Sequence, residues 1–222
     1  METELLTIYD SFGASIGVAT REEVHKKGYW HKTFQCYVIG IENDAEYMYI
    51  QLRSQGKKDF ANLYDITAAG HILSNESVEE GVREVNEELG LNVSSDELLS
   101  LGIIPNIIVS ENIKDYELSH VFLYEMKEPM ETLILQQEEV SGIAKAPLRE
   151  FIDFFNGKLE HLEIEGYQLE LNGEKNWFSE SINKEKFVPH SKEYFVGVAK
   201  AICKGRLQKD VPKSKRNGRL TK

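Results

Sequence analysis

The chain has 222 residues, a net charge of −11, and 41 % hydrophobic and 28 % charged side chains, the balance of a globular protein of one domain, or one domain with an appendage. Ten Tyr, ten Phe and two Trp can fill a core, which excludes disorder throughout, and no apolar run approaches the roughly 18 residues of a membrane span. Two cysteines, Cys36 and Cys203, make no disulfide framework; with an acidic start that is no secretory signal, they predict a reducing, cytoplasmic setting.

In chain order, residues 5–9 predict a short strand, a turn at Asp10 to Gly13, and a hairpin partner over 14–19. Residues 21–25 predict a helical turn stopped by Gly28. Residues 33–42 and 46–53 are strands rich in β-branched and aromatic residues, joined by Asn43-Asp44-Ala45. Residues 77–89 form the clearest helix, with Ser77 and Glu80 as a capping box and Gly90 as its C-terminal stop. Strands follow near 101–109 and 118–125, then an amphipathic helix over 147–155 begun by Pro147. Residues 158–190 show no clear pattern, and 192–207 predict a C-terminal helix. The segment 208–222 reads as a disordered basic tail after a domain spanning 1–207 with its core at about 30–155. Basic residues concentrate in that tail, so the body is more acidic than the net charge suggests. An acidic body argues against nucleic acid as a partner, yet it suits an anionic small molecule bound through a divalent cation.

On a helical wheel Glu80, Glu84, Glu87 and Glu88 share one face, about a third of the circumference. Val78, Val82, Val85 and Leu89 take the other, as the core side. Like charges so spaced destabilise a helix unless something positive sits among them. Oxygen ligands suit magnesium or manganese.

The segment Gly70 to Leu91, GHILSNESVEEGVREVNEELGL, resembles the Nudix box, G-x5-E-x7-R-E-U-x-E-E-x-G-U, where U is aliphatic. The half from Arg83 to Leu91 matches at every defined position, and Gly70 and Glu76 keep their spacing; six residues rather than seven separate Glu76 from Arg83. The resemblance implies an α+β fold, a mixed sheet packed between helices. It implies that Glu84, Glu87 and Glu88, with Gly70, bind Mg2+ or Mn2+. It further implies that Arg83 orients a box glutamate and that a diphosphate linked to some other group is hydrolysed. Glu139, in Gln136-Gln137-Glu138-Glu139, resembles the late acidic residue that serves such enzymes as base or ligand. A homodimer is the partner expectation from the same resemblance.

Three further segments, 10–31, 51–71 and 116–124, resemble Nudix proteins akin to isopentenyl-diphosphate isomerase. That resemblance implies a metal held by His25, His31, His71 and Glu117. It also implies phosphate contacts from Arg53 and Lys57, groups suited to anionic oxygens. The position of the isomerase cysteine is Ala69, which cannot move a proton, whereas the hydrolytic glutamates are complete. A hydrolase on an isomerase-like frame is the leading expectation. An isopentenyl-diphosphate isomerase-like enzyme and a non-catalytic ligand-binding Nudix module are the alternatives.

Overall fold

The structure, a computed structural model, describes residues 4–111 and 113–209; most of the basic tail lies outside them. A hairpin, β1 (Leu5–Tyr9) and β2 (Ser15–Thr20), leads into helix α1 (Arg21–Lys27). Thr20 accepts the Glu23 N–H at the helix start, and Gly28, at φ 73°, closes its end. Next come the long strands β3 (Trp30–Glu42) and β4 (Ala45–Arg53), then the short β5 (Tyr64–Asp65) and β6 (Ala68–His71). Asn43 and Asp44, both with positive φ, form the tight turn between β3 and β4. After the box helix α2 (Arg83–Leu89) come β7 (Leu99–Val109), β8 (Lys114–Met126), β9 (Val140–Pro147) and α3 (Leu148–Phe155). The chain ends with β10 (Leu162–Leu169), β11 (Lys175–Ile182) and α4 (Lys192–Lys209).

The strands pair into a mixed sheet. β3 lies at its centre, parallel to β8 and antiparallel to β1, β4 and β6. Its residues from 33 to 40 are buried on both faces, which is why this stretch reads as a nearly continuous apolar run. On one face Tyr37, Ile39 and Ile50 pack with Phe151, Phe154, Tyr194 and Val198 of α3 and α4. On the other, Phe34, Cys36 and Val38 pack with Val85 and Leu89 of α2. This is the expected α+β arrangement. No helix among the described residues is long and apolar enough to cross a membrane.

Three differences from the sequence expectations bear on the site. β3 starts three residues before the predicted strand, which places His31 inside the sheet. The predicted helix over 77–89 is divided: a 3₁₀ turn over Glu79–Val82 precedes α2. The unassigned stretch 158–190 contains the β10–β11 hairpin, which extends the same sheet beyond β9. It was hard to read because the mostly exposed edge strand β11 has no apolar alternation.

Candidate active site and metal centre

The box begins where β6 ends and α2 starts. Six residues separate Glu76 from Arg83, and the 3₁₀ turn makes that length sufficient. A 3₁₀ helix rises about 2.0 Å per residue against about 1.5 Å in an α-helix, so four such residues recover about one residue of reach. The bonds made across the turn are complete. Arg83 Nε donates to Glu76 Oε1 at 2.7 Å and its Nη2 to Glu76 Oε2 at 3.1 Å. Nη2 also donates to the His71 carbonyl at 3.1 Å, and Nη1 to Glu84 at 2.6 Å and Glu87 at 3.3 Å. One guanidinium therefore ties the box loop, the β6 end and two helix glutamates together, a task for which its planar fork is suited. Arg83 in turn holds the Glu76 carboxyl below its usual range.

Glu80 departs from the expected acidic face. Its carboxylate accepts the Ser77 N–H at 2.7 Å in a capping box, and the side chain is exposed, away from the other three. The turn through the 3₁₀ segment is about 120° per residue, which breaks the α-helical wheel at that point.

Glu84 and Glu88 sit deep. Gly70 lies so close to Glu84 that a Cβ there would fall 2.0 Å from Oε1; only a glycine permits this packing. Glu88 accepts the Ala69 N–H at 3.1 Å and Gln51 Nε2 at 3.2 Å, and is 5 % exposed. Burial pushes Glu84 up to about 7, with Glu87 adding to the rise and Arg83 opposing it. Burial, then the nearby Glu84, pushes Glu88 up to about 8. Arg83 offsets the half-buried Glu84 and Lys57 the buried Glu88 only in part, since both carboxyls stay raised; a divalent cation would supply the remaining compensation without a covalent change.

Lys57 contacts the Glu139 carboxylate across the cavity rim. Arg53 donates to the Asp59 carbonyl (3.0 Å), the Phe60 carbonyl (3.2 Å) and Asp65 Oδ2 (3.0 Å). In this state Arg53 clamps the loop after β4, where Phe60 and Asn62 have positive φ. Of the aromatics Trp30, Phe60, Tyr64 and Trp177, Phe60 lines the cavity. Tyr64 is in the core, Trp30 packs on Tyr116, and Trp177 on Tyr167.

A second cluster stands beside the first. His25 comes from α1, His31 from β3 and His71 from β6, with ring centroids 5.2 to 5.4 Å apart. His31 is aligned with Glu117 in the parallel β3–β8 register, and Asp115 lies two residues before Glu117, on the same face of β8. Asp115 was missed by the sequence reading, because only that register brings it to the histidines. His31 Nε2 and His25 Nε2 lie 3.5 Å and 3.6 Å from Asp115 Oδ1. The possible ligand atoms of His25, His31 and His71 lie within 4.8 Å of one another, as do those of His31, Asp115 and Glu117. Burial lowers His25 and His31 to about 4 and lowers His71 well below the imidazole range, so all three rings are neutral and keep a lone pair. His31 Nδ1 bonds the Tyr29 carbonyl at 3.1 Å, which fixes the tautomer with its Nε2 lone pair on the cluster side. His31 Nε2 and Asp115 Oδ1 are buried with no hydrogen-bond partner. Burial raises the Asp115 carboxyl well above its usual range, and Glu117 adds to this. Imidazole nitrogens with carboxylate oxygens suit a transition metal such as manganese or zinc, and the two orphaned atoms are where such an ion fits.

Both clusters open onto one cavity of about 430 Å³. Its lining includes Glu84, Glu88, His25, His71 and Glu117, and also Arg21, a cation that the sequence reading did not single out.

Comparisons with known proteins show the family of the chain. Residues 32–164 match the model of the NUDIX domain. An uncharacterized Nudix hydrolase of Clostridium acetobutylicum is 38 % identical over 203 residues, covering 91 % of this chain and 98 % of that protein. An isopentenyl-diphosphate Delta-isomerase of Corynebacterium diphtheriae is 29 % identical over 149 residues, covering 64 % of this chain and 78 % of the relative. A second protein of that name, from Photorhabdus laumondii, is 29 % identical over 140 residues, covering 62 % of this chain and 74 % of the relative. With its box loop, its buried glutamates and these relatives, the chain belongs to the Nudix hydrolase family.

Proposed function

We propose that the protein is a divalent-metal-dependent hydrolase of an organic diphosphate. The observation that carries this reading is the pair Glu84 and Glu88, buried side by side with raised carboxyl pKa values, beside the Arg83 fork. Glu84, Glu87 and Glu88 would hold magnesium or manganese, which when bound neutralises phosphate oxygens and acidifies water. Arg83 keeps Glu84 in place. Lys57, now on Glu139, is positioned to exchange that carboxylate for a phosphate oxygen, which would free Glu139 at the rim as the candidate base. Arg53 shapes the rim by holding the loop at Asp59 and Phe60. His25, His31, His71, Asp115 and Glu117 would hold a second, imidazole-ligated ion in the same cavity.

That second cluster is the feature favouring an isomerase reading, as the isomerase-named relatives do. Ala69 opposes it: this residue pairs with Gln35 of β3 and lines the cavity, but its side chain is a methyl group with no proton to transfer.

The test is turnover against nucleoside diphosphates and triphosphates, nucleotide-sugars, dinucleotide polyphosphates, thiamine diphosphate and isoprenoid diphosphates, with Mg2+ and then Mn2+. Metal-dependent release of phosphate, read directly and after phosphatase treatment of the products, supports the hydrolase. Conversion of isopentenyl diphosphate without phosphate release would replace it with the isomerase. A compound that raises the melting temperature without being consumed would make the protein a binding module.

A further inference from the structure

Glu117 is the most heavily anchored carboxylate of the histidine cluster. Its Oε2 accepts from Asn106 at 2.8 Å, Gln35 at 3.1 Å and Ser119 at 3.2 Å. Three donors on one oxygen leave Oε1 for the cluster and fix the carboxylate plane. Two of these donors are themselves aimed by residues from one place in the chain.

His190 orients Asn106. The segment before α4 is pinned to β5 by the Val188 N–H on the Tyr64 carbonyl at 2.9 Å. From there His190 Nε2 reaches Asp65 Oδ1 at 2.8 Å, and its Nδ1 lies 2.9 Å from Asn106 Nδ2. An amide nitrogen only donates, and its other N–H is on Glu117, so His190 Nδ1 accepts and Nε2–H donates to Asp65. Tyr194, in the first turn of α4, orients Gln35. Its hydroxyl donates to Gln35 Oε1 and sits 3.0 Å from the Tyr37 hydroxyl, which turns the Gln35 NH2 to Glu117. Asn106, Tyr194, Gln35 and His190 are all buried at 6 % exposure or less. The donors of Asn106 and Gln35 and both rings of the network are partnered, while Asn106 Oδ1 is buried with no hydrogen-bond partner. Neither His190 nor Tyr194 lies in the stretch that matches the family model, residues 32–164.

We infer that the C-terminal segment carrying His190 and Tyr194 is a positioning element of the histidine–carboxylate centre, setting Glu117 through Asn106 and Gln35. The inference rests on the reading of that cluster as a metal centre. His190 and Tyr194 touch no ligand atom of the cluster other than through these two amides, so they act as positioning residues. Partners of this kind typically alter metal affinity 10- to 100-fold.

The experiment is a titration of the metal-free, full-length protein with Co2+, read by its visible absorption, with His31→Ala as the baseline lacking the centre. His190→Leu and Tyr194→Phe should each weaken the imidazole-type cobalt signal by about 10- to 100-fold in affinity. His190→Gln, which retains a donor and an acceptor, should restore most of it. Val198→Ala, which removes core volume from α4 without touching a hydrogen bond, should titrate like the wild type. Unchanged affinity in both His190→Leu and Tyr194→Phe overturns the inference. So does an equal loss in Val198→Ala, which would make the effect one of helix packing. A wild-type protein giving no signal beyond His31→Ala would remove the metal centre itself, and the inference with it.

Discussion

Gly70 and Glu84 are in direct contact: a Cβ added to Gly70 would meet the Glu84 carboxylate at 2.0 Å. The glycine that opens the box therefore serves to admit a glutamate from the helix that closes it. Gly70→Ala should displace Glu84 while the sheet stays formed. Displacements of about 1 Å at a reacting centre cost up to about a hundredfold in rate. We expect kcat to fall on that scale with a smaller change in KM. Wild-type kcat in Gly70→Ala would show that the Glu84 position is irrelevant.

The buried carboxyls make a prediction about pH. Glu84 and Glu88 are raised to about 7 and 8 from an ordinary 4.5. Between these limits the folded chain keeps protons that the unfolded chain has released. Their contribution to stability is thus fully present below pH 4.5 and is lost as pH rises through 7 and 8. The metal-free protein should melt at lower temperature at pH 8.5 than at pH 6, and Mg2+ or Mn2+ should reverse the loss. Glu88→Gln keeps the shape and removes one of the charges, so its melting temperature should depend less on pH. An equal pH slope in Glu88→Gln and wild type contradicts the assignment.

Arg83 binds Glu76, Glu84 and Glu87 at once. A lysine keeps the charge but lacks the fork. Arg83→Lys should therefore lose most of the activity, and Arg83→Ala all of it. If the lysine variant matched the wild type, charge alone would suffice.

Ala69→Cys restores a thiol where isomerases carry one. We expect no isomerisation, because the box glutamates remain those of a hydrolase. Dimethylallyl diphosphate formed from isopentenyl diphosphate by Ala69→Cys, in deuterated water with label incorporated, would overturn that view.

Much of this site was legible because it is local in sequence. Gly70, Arg83, Glu84, Glu87 and Glu88 lie on one loop and one helix, where spacing alone fixes faces. Glu80 was misplaced because the 3₁₀ turn changes the angle per residue. His25, His31, His71 and Glu117 could be named from resemblance, but their meeting depends on β3 beginning at Trp30 and running parallel to β8. Asp115, Asn106, Asp65 and His190 carried no sequence signal at all. Asn106, Asp65 and His190 are joined by hydrogen bonds across separations of 84 and 125 residues, which no local periodicity encodes. Arg53, expected as a phosphate contact, lines the cavity, and its donors hold Asp65 and the loop carbonyls.

The measurement that tests the central claim most directly compares phosphate release, read directly and after phosphatase treatment of the products, by the wild type, Glu84→Gln and Glu88→Gln. It uses the best diphosphate substrate at saturating Mg2+ or Mn2+. The account predicts metal-dependent release by the wild type and background rates for both variants, each folded with an unchanged or raised melting temperature. Full activity in both variants, or wild-type turnover that ignores a chelator, would contradict it.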